Sequence, residues 1–176
     1  KVSESLGRII NEKHFNRLLN ILESDKESLL YGGEYDEEEK YIAPSIIEVK
    51  DWNSACMKEE IFGPILPIMS YRDLNQVIND INKQPKPLAL YLFTSDKRVE
   101  KKVLNEISSG GVSINDTILH LANSNLPFGG VGNAGMGAYH GEESFRTFSH
   151  RKSVLKKSRV LNTTLMYPPY SDKKLM

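Results

Sequence analysis

Two stretches hold the residue types that chemistry needs. The first, EEIFGPILPI at 59–68, places two adjacent carboxylates, Glu59 and Glu60, before Phe62 and a Gly-Pro turn. An acid beside an exposed ring can hold the hydroxyls of a ribose and stack on a planar ring. The same letters also fit a charged helix end followed by a core phenylalanine, and the pattern alone favours that plainer reading. The second stretch, LPFGGVGNAGMGAYHGEESFRTFSH at 126–150, holds six glycines in its first sixteen residues. Glycine is costly in an ordered segment and stays where the backbone needs positive φ or close approach. His120 and His140 flank this loop and are candidates to face a cleft.

GVGNAG at 130–135 has the letters of a dinucleotide fingerprint. That fingerprint must follow a strand, open a helix and meet an acid about 20 residues on. Here the preceding strand ends near Asn115, Gly137 and Gly141 weaken any helix, and Glu142 and Glu143 come too early. The stretch therefore reads as a shaped loop. Cys56, the lone cysteine, has no histidine near it in sequence and reads as a small structural residue. His14, His120, His140 and His150 are too scattered for a metal site, and none is expected. HRKSVLKKSR at 150–159 is basic but lacks the interleaved aromatics of a nucleic-acid arm. It fits an extended strand able to pair with a sheet edge.

Composition bounds the rest. The 176 residues carry 23 basic and 23 acidic side chains, which gives no general attraction to nucleic acid or membrane. With 39% hydrophobic and 26% charged residues, the chain is of ordinary globular type and long enough to bury a core. No apolar run approaches the roughly 20 residues of a membrane span. One cysteine permits no internal disulfide and suits a reducing compartment.

The elements that must position these residues alternate. Asn11 caps a helix to about Asp25, with Phe15, Leu18, Leu19 and Leu22 on one face. YIAPSIIEV at 41–49 is a strand interrupted at Pro44, and a second strand follows Pro64. Asp73 caps a helix, LALYLFTS at 88–95 reads as a strand buried on both faces, Asp96 caps a helix to about Ile107, and GGVSIN at 110–115 is a further strand. This alternation predicts an α/β fold with parallel strands.

The two unusual stretches, with KPLALYLF at 86–93, SSGGVSIND at 108–116, YHG, TFSHR and YPPY, closely resemble the C-terminal half of an aldehyde dehydrogenase of the class 3-like, fatty aldehyde dehydrogenase branch. The resemblance covers nearly the whole chain. It implies that residues 1–150 form the C-terminal part of a parallel-sheet catalytic domain and that 151–176 form an extended oligomerisation strand and tail. It implies oxidation of aldehydes, medium- or long-chain aliphatic or aromatic, by NAD or NADP through a cysteine thiohemiacetal.

Residue by residue, the resemblance makes Glu60 the ligand of the nicotinamide ribose and Phe62 the ring beside the nicotinamide. It gives Asn115 the place of a buried asparagine at the end of the last parallel strand. Ile118, Leu121, Ala122, Phe128 and His140 line or support the aldehyde pocket. Ala134 stands where the family has serine. The nucleophilic cysteine, the general-base glutamate and the dinucleotide domain would all precede Lys1, so no catalytic residue is expected here, and a fragment inactive alone is. Homodimerisation is expected through about 153–165. The other reading is a short non-catalytic product that pairs with full-length subunits through that strand. A cytoplasmic location is expected, or a membrane-associated one if an anchor follows Met176.

Overall fold

The structure, a computed structural model, describes residues 3, 5–160 and 168–169. The chain forms two compact units, Lys1–Val77 and Ile78–Met176.

In the first unit, α1 (Glu12–Ser24) starts where Asn11 accepts a hydrogen bond from the His14 N–H at 2.9 Å. Its apolar stripe buries Phe15, Leu18, Ile21 and Leu22, while Leu19 is only partly buried. Against this stripe pack Ile42, Ile47, Val49, Cys56 and Ile65, and these residues form the core of the unit. Four strands precede the Cys56 turn: β1 (Leu29–Tyr31), β2 (Tyr35–Asp36), β3 (Tyr41–Ile42) and β4 (Ser45–Glu48). The strand expected over 41–49 is thus broken in two, and the break falls at Ala43 and Pro44, because proline has no N–H for a ladder. β5 (Ile65–Ile68) follows Pro64 and pairs parallel with β4. β1 pairs antiparallel with the other edge of β4, giving the order β1-β4-β5, and β2 and β3 form a separate hairpin.

The boundary between the units falls within α2 (Leu74–Asn82), whose start is held by the Asn75 N–H bonding Asp73 at 2.9 Å. In the second unit β6 (Ala89–Leu92), α3 (Lys97–Glu106) and β7 (Gly111–Ile114) form a βαβ unit with β6 and β7 parallel in register from Ala89↔Gly111 to Leu92↔Ile114. Asp96 caps α3 by accepting from the Arg98 N–H at 2.7 Å. Parallel strands are present as the alternation predicts, β4 with β5 in the first unit and β6 with β7 in the second. β6 also differs from expectation. Its residues are half-buried and Tyr91 is exposed, since among the described residues β6 pairs with β7 alone. Beyond β7 come the short α4 (Leu119–Ala122), the glycine loop and α5 (Gly141–Thr147). Residues 151–158 have no regular secondary structure and are exposed, and residues 161–165 of the expected oligomerisation strand lie outside the described residues. No described helix is long and apolar enough to cross a membrane.

Candidate functional site

Glu60 and Phe62 belong to the first unit, in the irregular segment between the Cys56 turn and β5. Phe62 is not a core residue. Its side chain is 77% exposed and its backbone is held at φ +46°, so the plainer reading of EEIFGP fails. The core position falls to Ile61, which packs on the edge of the cluster around α1. Glu59 is committed: its carboxylate pairs with Arg17 of α1 at 2.9 Å. Glu60 is exposed, and its carboxylate has no partner among the described residues. The two adjacent acids therefore differ, one spent on the scaffold and one available. A shallow cavity of about 270 Å³ elsewhere on this unit, lined by Leu19, Leu22, Lys26 and Tyr35 among others, includes neither Glu60 nor Phe62.

The remaining candidates belong to the second unit. Asn115 follows β7 with φ +56°, and its amide clamps Thr94: Oδ1 accepts the Thr94 N–H at 2.8 Å and Nδ2 donates to the Thr94 carbonyl at 3.0 Å. It is exposed, contrary to the burial that the resemblance implies, and both ends of its amide are spent on joining the strand ends. Ile118 (60% exposed), Leu121 and Ala122 form an exposed apolar turn around α4.

Phe128 and His140 do come together. A bridge between Phe128 and Tyr139, with both backbone bonds at 2.9 Å, brings the two ends of the glycine loop side by side. The His140 ring then stacks on Phe128 with centroids 5.9 Å apart and planes 22° off parallel. The His120 ring is tilted 52° to Phe128 with centroids 5.9 Å apart and meets Tyr91 of β6 edge-on at 5.8 Å. Both His120 ring nitrogens and His140 Nδ1 are buried without a hydrogen-bond partner among the described residues. Tyr91, His120 and Tyr139 are thus members of an aromatic cluster that the sequence reading did not assemble. Only the flanking histidines gave a signal, because the ladder register that brings Tyr91 alongside is not written in local spacing.

The glycines explain how the loop folds so tightly. A side chain on Gly129 would strike the Gly137 carbonyl, and one on Gly130 the Ala134 carbonyl, so backbone packs directly on backbone. The GVGNAG stretch makes a single 3₁₀ turn, Gly132–Ala134, so no helix N-terminus forms there to hold a phosphate. Among the described residues no cluster of potential metal ligands exists.

Five non-glycine residues among those described adopt positive φ: Lys40, Phe62, Asn115, Ile118 and His140. Such backbone costs about 1–3 kcal/mol each and concentrates at functional sites. Lys40 closes a turn onto Glu37. The other four are all positions that the sequence reading assigned to cofactor or substrate. A β-branched residue such as Ile118 at φ +63° is a marked outlier.

Residues 2–154 match the aldehyde dehydrogenase family. The chain belongs to that family. It is 50% identical over 171 residues to the 4,4'-diaponeurosporen-aldehyde dehydrogenase of Staphylococcus aureus, covering 97% of this chain and 37% of that protein. It is 52% identical to the mouse dimeric NADP-preferring aldehyde dehydrogenase, covering 90% of this chain and 34% of that protein. It is 50% identical to the rat aldehyde dehydrogenase family 3 member A2, covering 99% of this chain and 36% of that protein. The chain thus spans little more than a third of the length of these relatives, and the resemblance to the class 3 branch stands.

Among solved structures, a substrate-bound Staphylococcus aureus AldH superposes with a TM-score of 0.85 at 51% identity, over 94% of this chain and 36% of that one. A Mycobacterium tuberculosis aldehyde dehydrogenase complexed with NAD+ superposes with a TM-score of 0.77 at 30% identity, over 86% of this chain and 32% of that one. The α/β architecture of the aldehyde dehydrogenase fold is therefore present in this chain.

Cys56 stands apart from these candidates. It is 2% exposed in the 3₁₀ turn Ala55–Met57, and its N–H donates to Asp25 at 2.9 Å. Burial pushes its thiol up, and the neighbouring Asp25 carboxylate pushes it further, to about 11. A nucleophilic cysteine needs the opposite shift.

Proposed function

We propose that these residues bind and orient both reactants in an NAD(P)+-dependent aldehyde dehydrogenase that converts medium- or long-chain aliphatic, or aromatic, aldehydes to carboxylic acids. The observation that carries this reading is the coincidence of backbone strain with Phe62, Asn115, Ile118 and His140. The residues present fit the cofactor. The unpartnered Glu60 carboxylate offers acceptors for ribose hydroxyls, and the exposed Phe62 ring offers a flat apolar face beside it. NAD(P)+ when bound supplies the hydride acceptor. Glu60 and Phe62 hold and orient its reactive end. Both forms of the cofactor are kept, since one relative is named NADP-preferring and one solved neighbour holds NAD+.

Ile118, Leu121 and Ala122 present apolar surface to the aldehyde chain and exclude water. Phe128, backed by the stacked His140, closes the same wall, and Asn115 fixes the strand end from which it rises. Cys56 is not read as the nucleophile, because its thiol is buried and pushed up to about 11. The exposed segment 153–160 is read as the start of a pairing strand in a homodimer, in keeping with the relative named dimeric.

The test is Glu60→Gln in the full-length protein, assayed with a long-chain aldehyde. Turnover falls by about 10²-fold as the cofactor loses its anchor, the scale expected when a reacting group is slightly misplaced. Unchanged turnover with unchanged cofactor affinity would remove Glu60 from the site.

A further inference from the structure

Given the roles proposed above for Glu60 and Phe62, we propose that Arg17 of α1 is the positioning residue for the cofactor-binding segment, an assignment that rests on that reading. Residues 58–64 form neither helix nor strand, so no backbone ladder fixes Glu60 in place. The guanidinium of Arg17 does so from below. Its Nη1 pairs with the Glu59 carboxylate at 2.9 Å, and its Nη2 donates to the Ile61 carbonyl. One residue further on, Gly63 rests on Leu18, so closely that a side-chain carbon there would lie 2.6 Å from both Leu18 methyls. Leu18 is fully buried and Arg17 is its neighbour, so the support belongs to the rigid centre of the core. Positions 59, 61 and 63 are each tied to α1. Positions 60 and 62, between them, are exposed and make no such tie.

The planar guanidinium fork grips a side-chain carboxylate and a backbone carbonyl on either side of one residue at fixed angles. Lysine supplies a point charge in one place. The Arg17 side chain is 24% exposed and that of Glu59 56%, so the ion pair adds little to stability. Its contribution is geometric. The effect of losing it belongs in turnover far more than in folding.

The experiment uses Arg17→Gln, Arg17→Lys and Glu59→Gln in the full-length protein. In cofactor-free protein, amide hydrogen exchange over residues 59–64 rises about tenfold in both Arg17 variants, while the buried turns of α1 keep their protection. With cofactor, kcat falls about tenfold or more while the aldehyde KM stays within about twofold. Arg17→Gln combined with Glu60→Gln loses less than the product of the two single losses, because part of the Arg17 effect runs through Glu60. Glu59→Gln removes one arm of the grip without touching α1 and gives an intermediate loss, which keeps the test decisive if Arg17→Gln does not fold. Normal exchange and normal kcat in the Arg17 and Glu59 variants, with Glu60→Gln impaired, would overturn the role of Arg17 alone. Normal kcat in Glu60→Gln itself would remove the reading beneath it.

Discussion

The lone thiol gives the sharpest quantitative test. Cys56 is 2% exposed, and burial, followed by its hydrogen bond to Asp25 and that carboxylate's charge, raises it from 9.0 to about 11. At neutral pH this leaves about 10²-fold less thiolate than an unhindered cysteine has. Iodoacetamide labelling of the tryptic peptide 51–58 at pH 7.5 is therefore at least about 10²-fold slower in the native protein than in the urea-unfolded one.

The sign of the linked stability follows. Between pH 9 and 11 the native thiol keeps a proton that the unfolded chain has lost, so stability falls as pH rises through that window, by about 3 kcal/mol in all. Asp25→Asn removes the carboxylate's charge and leaves burial, so the alkaline loss shrinks without vanishing. The same variant weakens an acceptor that serves Ser54 Oγ at 3.0 Å, the Ala55 N–H at 3.3 Å and the Cys56 N–H at 2.9 Å, at a cost of about 2 kcal/mol near pH 7. On the acid side Asp25 is lowered, since burial raises it but the hydrogen bonds from Cys56, Ser54 and Ala55 outweigh that. Its contribution is present above the unfolded carboxylate range and is lost as pH drops through the depressed native value, below about pH 4. Labelling of Cys56 at neutral pH as fast in the native as in the unfolded protein would refute this account and reopen the thiol as a nucleophile.

Substitutions at two further positions probe the scaffold. Gly63→Ala forces a carbon against the buried Leu18 methyls. Overpacking of this kind costs about 1–3 kcal/mol, so the melting temperature drops and turnover falls with it; a variant with native stability and turnover would show that the segment can shift freely. Asn115→Ala loses the clamp on Thr94 and strains a positive φ, for about 1–2 kcal/mol by urea unfolding, with Asn115→Gly less affected at the backbone; equal stability of both variants to the parent would count against the clamp.

Much of the architecture was legible because it rests on local rules. Asn11 and Asp96 announce their helices through capping, and Pro44 breaks its strand because it has no N–H to give. The close backbone packing in the glycine loop is likewise implied by glycine itself. Local rules misjudged Phe62, since an aromatic in an apolar run reads as core until the chain's path at φ +46° turns it outward. They misjudged β6 for a related reason: an apolar run shows that a strand can be covered, but its pairing decides how far it is.

The sequence by itself determined the family, the helix starts and the residue types offered for binding, because each depends on letters close together in the chain. Tertiary structure decided how those letters are used. Arg17 meets Glu59 across 42 positions, which splits two identical adjacent acids into an anchor and an available ligand. Asp25 meets Cys56 across 31 positions, which adds to burial in pushing the lone thiol up. Both contacts are set by how α1 packs on the segment before β5, and packing between distant segments leaves no periodic trace in the sequence.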